Sequence, residues 1–127
     1  MKWLLLLALV AGLGLAATAS AHQFVASPSL SIHKASAGGT RVIVFGKARG
    51  GGHPICKKSR RIRLFQARPG ADRLLATDQT NAQGEYAFPL HPRRHMRVYT
   101  RVGRLHKVSF EHDHLCRAAT SRKVRLR

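Results

Sequence analysis

The chain has 127 residues, 23 Lys plus Arg against 5 Asp plus Glu, and a formal net charge of +18, which allows one domain of ordinary size. Five carboxylates leave little material for paired-carboxylate catalysis. Two cysteines are too few for a four-cysteine zinc site or a dense disulfide scaffold.

Met1-Lys2-Trp3 is a short positive n-region, residues 4–16 form an uncharged apolar run, and Ala19-Ser20-Ala21 is an A-x-A cleavage signal. Residues 1–21 therefore read as a secretory signal peptide cut before His22, leaving 22–127 as one domain. The apolar run falls short of the roughly 20 residues a transmembrane helix needs. No second run follows, so no transmembrane segment is expected after cleavage. Lys2 is the only charge removed, so the remainder carries +17, one less than the whole chain's +18. Val, Ile, Leu and Phe lie just above the roughly one-fifth share below which a highly charged chain tends to disorder, so disorder is the alternative to a thin core.

Beyond residue 22 alternation and turn signals dominate, and no long helical period occurs. Residues 29–33 put Leu30 and Ile32 on one face. Residues 41–47 (RVIVFGK) read as a central strand, and Gly50-Gly51-Gly52-His53-Pro54 as a loop. In 61–65, Ile62 and Leu64 oppose Arg61, Arg63 and Phe65. Strand 74–80 leads into Asn81-Ala82-Gln83-Gly84, with Gly84 suited to the positive-φ position of a hairpin turn. The chain returns through 85–90, with Tyr86, Phe88 and Leu90 on one face. Residues 96–102 set Met96, Val98, Thr100 and Val102 against Arg97, Tyr99 and Arg101. Residues 105–110 and 123–127 supply the last strands. The expectation is an all-β protein, a single antiparallel Ig-like β-sandwich of about seven short strands. Its expected core is Leu30, Ile32, Val42, Val44, Ile62, Leu64, Tyr86, Phe88, Val98 and Val124.

The run 42–46, Cys56, Ile62-Arg63-Leu64-Phe65 and the stretch Thr77-Asp78-Gln79-Thr80-Asn81-Ala82-Gln83-Gly84-Glu85-Tyr86-Ala87-Phe88 together resemble the carboxypeptidase-regulatory-like, transthyretin-like sandwich. The shared feature is a strand, an acid-x-x-Gly turn and an aromatic-alternating strand, with Asn81 where the family more often has Asp. The chain is also similar to small secreted bacterial proteins that end in a His-rich segment, a Cys and a basic strand. The resemblance implies an Ig-like fold and a non-catalytic accessory or adhesive role. It assigns no catalytic residues.

Cys56 and Cys116 are the only cysteine pair in a chain read as exported, so a disulfide is expected. An enzyme is not expected. There is no G-x-S-x-G elbow and no H-E-x-x-H, and Gly46-Lys47 runs into Ala48 instead of completing a phosphate loop.

Two functional readings stand. In the first, Arg61 and Arg63 share a parity with Phe65, and Arg97 and Arg101 with Tyr99. If the strands of Ile62 and Val98 are neighbours, their outward faces merge into one basic sheet. Such a surface attracts an anionic cell-envelope polymer, an anionic lipid surface or extracellular DNA, without sequence-specific nucleic-acid reading. In the second, extended residues 112–116 put His112 and His114 on one face. An amino-terminal His22 adds an α-amine and an imidazole, the chelate of copper-binding histidine-brace proteins, so the three would bind copper or zinc. His33, His53, His91, His95 and His106 read as scattered surface residues, and Glu111 with Asp113 reads equally as a local charge balance or an acid/base pair.

Overall fold

The computed structural model describes residues 22–108 and 112–127. The leader reading of residues 1–21, and Glu111, lie outside the described residues.

Among the described residues, twelve short strands and one 3-10 turn follow each other. The strands are β1 (His22–Ala26), β2 (Ser29–Leu30), β3 (His33–Ser36), β4 (Val42–Arg49), β5 (Arg61–Gln66) and β6 (Arg73–Gln79), then β7 (Glu85–Leu90), β8 (Arg97–Val102), β9 (Leu105–Val108), β10 (His112–Cys116), β11 (Ala119–Thr120) and β12 (Val124–Arg125). The 3-10 turn, Pro54–Cys56, lies between β4 and β5.

Two antiparallel sheets form the expected β-sandwich. In one, β4 is central, with β2 and β3 on one side and β7 on the other. The other runs β6–β5–β8, with β11 and β12 both on the far edge of β8. Alternation drives the packing, because successive side chains on a strand point to opposite faces. Val44, Ala48, Tyr86 and Phe88 of the first sheet meet Ile62, Leu64, Val98, Val102 and Val124 of the second, with Ile32, Met96 and Leu126 closing the ends. Leu30 and Val42 pack at the margin, half-buried.

Tyr86 fastens the sheets. Its hydroxyl donates to the Ser31 carbonyl and lies 3.0 Å from Thr100 Oγ1, across the core. Gly46 makes room for it, since a Cβ there would stand 2.5 Å from that hydroxyl and 2.0 Å from Ser31 O.

Residues 81–84 form the expected tight turn, with Gly84 at φ +83° and Gly84 N–H bonded to Asn81 O at 3.0 Å. It does not close a continuous hairpin. One rung, Asn81 N–H to Glu85 O, spans its base at 3.2 Å, and then the strands part. β6 pairs with β5 and β7 pairs with β4, so the turn carries the chain from one sheet to the other. Asp78 bridges the divergence by accepting from Ala87 N–H at 3.0 Å.

A third, small sheet departs from the expected single sandwich. β10 lies between β9, antiparallel, and β1, parallel. Its apolar support is thin: Ala26, Cys56 and Cys116, with Ile55 and Leu105 against them. The expected Cys56–Cys116 disulfide joins β10 to the 3-10 turn, with Cα atoms 5.5 Å apart.

Candidate anion-binding face

β5 lies between β6 and β8, so its outward residues form the middle row of an exposed face. Arg61 stands opposite Gln79, Arg63 between Thr77 and Arg101, and Phe65 between Leu74 and Tyr99. Arg97 stands opposite Arg125 of β12. The four arginines singled out by parity, Arg61, Arg63, Arg97 and Arg101, are thus on one face, and all are exposed.

The register pairs arginine with arginine twice, Arg63 with Arg101 and Arg97 with Arg125. Like charges directly opposite are destabilising, where a favourable pair contributes about 0.2–1 kcal/mol. Among the described residues no Lys or Arg forms an ion pair with a carboxylate, and Asp113 is bonded to the His106 imidazole.

The aromatic part of the face is ordered. Phe65 and Tyr99 stack with centroids 5.5 Å apart and planes 16° apart, and the Arg101 guanidinium carbon lies 5.6 Å from the Phe65 centroid. Although it points outward, Tyr99 is only 6% exposed. Its hydroxyl donates to Asp72 Oδ2 at 2.5 Å, and the Arg68 amide donates to Oδ1 at 3.0 Å. The Tyr99 bond, then that of Arg68, hold the Asp72 carboxyl below the usual range, and the charges of Lys123 and Arg101 act in the same direction. The same bond to Asp72, with burial, raises the Tyr99 phenol. Asp72 therefore stays ionised, with its hydrogen bonds committed to a phenol and an amide, and makes no ion-pair contact with the arginines.

At the Arg61 end the face sinks into a groove of about 620 Å³, whose lining includes Arg60, Arg61, Arg63, Thr77, Gln79 and Arg104. Arg60 is only 4% exposed. Its Nη1 donates to Cys56 O at 2.9 Å and its Nη2 to Gly103 O, so it ties the disulfide turn and the end of β8 to the start of β5. Burial lowers its affinity for its proton. Arg60 was not among the arginines singled out from the sequence, and this role was missed. The available signal was parity, since Arg60 continues inward the series Ile62, Leu64.

The histidine reading is brought together in part. The parallel register sets His22 opposite His112 and Phe24 opposite His114. His53, expected on the open surface, instead packs against Phe24 at 5.6 Å between centroids, joining His112 at 5.5 Å and His114 at 5.3 Å around the same ring. Among the described residues no group of three or more His, Cys, Asp or Glu is placed to hold a metal ion. His106 is exposed, as expected, and bonds to Asp113.

No family model, curated protein or solved structure matches the chain. The fold and the face define an all-β, disulfide-linked sandwich with a basic, aromatic-bearing outer sheet. Among the described residues no helix is long and apolar enough to cross a membrane.

Proposed function

We propose that the protein is an exported, non-catalytic β-sandwich module whose basic outer sheet binds an anionic, phosphate- or sulfate-bearing polymer of the cell envelope or extracellular space. The observation that carries this reading is the register that sets Arg63 across from Arg101 and Arg97 across from Arg125 on one exposed face. A sheet stabilised for its own sake gains nothing from that arrangement, whereas an anionic chain lying along β5 and β8 neutralises both pairs. Phe65 offers a ring edge beside these cations, and the Arg60 groove ends the track. Export rests on the leader-like residues 1–21 and agrees with the disulfide. An accessory or adhesive role of the carboxypeptidase-regulatory-like kind agrees with a binding face that needs no catalytic group.

Salt dependence tests the proposal. Arg61, Arg63, Arg97, Arg101, Lys123 and Arg125 supply six cations. On a duplex polyanion, six neutralised phosphates correspond to about 10³-fold weaker binding between about 50 and 200 mM salt. The variant Arg61→Gln/Arg63→Gln/Arg97→Gln/Arg101→Gln should lose most of the affinity for anionic vesicles or DNA and flatten the slope. Binding that survives both the salt and the four substitutions would refute the proposal.

A further inference from the structure

The groove at the Arg61 end of the basic face gathers four arginines, Arg60, Arg61, Arg63 and Arg104, around a volume of about 620 Å³. Small-ligand sites are commonly about 300–1,000 Å³. The groove lies where β5 begins and where β6 and β8 end, and the β8–β9 connection at Gly103 and Arg104 forms one wall. One carboxylate, that of Asp78, also lines it. Its Oδ1 accepts from Gln79 N–H at 2.8 Å and its Oδ2 from Ala87 N–H at 3.0 Å, and it makes no ion-pair contact with the arginines. Four cations against one anion leave the groove strongly positive.

Arg60 supplies the second observation. It is only 4% exposed, and its guanidinium donates to the carbonyls of Cys56 and Gly103. Those carbonyls satisfy N–H groups but bring no counter-charge. A buried charge is ordinarily paired with an opposite one. A guanidinium has five N–H donors, of which these two bonds use two. An anion seated in the groove gives Arg60 the counter-charge that no carboxylate among the described residues provides.

The number of cations selects the ligand. A phosphodiester or a carboxylate brings one negative charge. A phosphomonoester brings about 1.5–2 near neutral pH, together with three acceptor oxygens. The guanidinium forks of Arg61, Arg63 and Arg104 match such a group. Across the register, Thr77 stands opposite Arg63 and Gln79 opposite Arg61, adding a hydroxyl and an amide on the same side. A phosphate alone does not fill the groove. The remaining space takes the residue that carries it, against the half-buried side chain of Leu105.

We propose that this groove is a subsite for a phosphomonoester, the end group of an anionic chain, so that the protein grips its polymer by a phosphorylated end while the rest of the chain lies along β5 and β8. The grip on a polymer rests on the anion-binding reading of the face. The groove itself needs only the monoester.

Two measurements test the proposal. Titration with methyl phosphate at neutral pH, followed by nuclear magnetic resonance, should shift the amides of Thr77, Gly103 and Arg104 with a Kd below about 1 mM, and dimethyl phosphate should bind at least about 10-fold more weakly. Methyl phosphate affinity should fall as pH drops through about 6, where the dianion takes up a proton. In the second measurement, a single-stranded oligonucleotide with a 5′-phosphate should bind about 10-fold more tightly than the same strand with a 5′-hydroxyl. Arg104→Gln, at an exposed loop position, should remove that ratio and weaken methyl phosphate about 10-fold, even where Arg60→Met disturbs the fold. Arg97→Gln/Arg125→Gln should weaken both strands alike and keep the ratio. Arg49→Gln, on the other sheet, should leave the ratio and the methyl phosphate affinity unchanged. Methyl phosphate that binds no tighter than dimethyl phosphate, or equal binding of the two strands, would overturn the proposal while leaving salt-sensitive polymer binding, and so the face, intact. Methyl phosphate held tightly with neither strand bound would strike the polymer reading alone, and the groove would stand.

Discussion

Arg60→Met is the most informative single substitution, because methionine keeps the apolar stem and removes only the guanidinium. That group donates to Cys56 O at 2.9 Å and to Gly103 O, and only 4% of the residue is exposed. A hydrogen bond to a charged group contributes about 1.5–3 kcal/mol, so the two together contribute about 3–6 kcal/mol. Relief from burying a cation offsets part of this, because burial disfavours the charged form. The net loss should be about 3 kcal/mol, with Cys56 O left buried and unpartnered. For a domain of roughly 100 residues each kcal/mol shifts the melting temperature by about 4–8 °C, so the variant should melt about 12–24 °C lower by circular dichroism. Arg60→Lys should recover less than half of the loss, since one ammonium cannot span both carbonyls as a planar fork does. Hydrogen exchange should quicken first at the β8–β9 connection, which Arg60 anchors through Gly103. A variant melting within about 3 °C of the parent would show that the two bonds only offset the burial they require, and the account of Arg60 as a staple would fall.

The disulfide joins residues 60 apart in sequence, and chain-entropy reasoning gives about 4 kcal/mol for a loop of that size. Cys56→Ala/Cys116→Ala should lose roughly that amount in chemical denaturation, with amides of β1, β9 and β10 losing exchange protection before those of β4, β5 and β8. Uniform loss of protection would show that the third sheet is not the weak unit. Both tyrosines have raised pKa values, Tyr86 through burial and Tyr99 through its bond to Asp72. A group raised on folding stabilises the protein fully below its unfolded pKa and loses that contribution as pH rises through the folded value. Ultraviolet titration should therefore find neither tyrosine half-ionised at about pH 10, the ordinary value. Stability should decline above that pH, and denaturation should bring both back to it. Tyr99→Phe should remove the raised phenol and release Asp72, whose carboxyl should move toward the ordinary carboxylate range in a proton-detected titration.

Which side of each strand faces inward was legible in the sequence, because a two-residue period is a local property. Ile62 and Leu64 against Arg61 and Arg63, and Val98 and Val102 against Arg97 and Arg101, needed no partner to be read. The turn at Gly84 and the Cys56–Cys116 bond were equally accessible, one from a positive-φ requirement and the other from having a single pairing available. Which strand lies beside which depends on closing long loops, and only the tertiary structure decided it. The turn at 81–84 looked like a hairpin because its own geometry is that of one. Only the competition for β5 and β4 shows that the strands leaving it part to different sheets. Arg63 meets Arg101, Tyr99 finds Asp72, and His53 comes to Phe24 through contacts 27 to 38 residues apart in sequence. Arg60 shows the boundary most clearly. Its parity pointed inward, but a lone arginine in a basic run gives no local sign of the Cys56 and Gly103 carbonyls that make its burial tolerable, because those acceptors are brought to it only when the disulfide turn and the end of β8 converge.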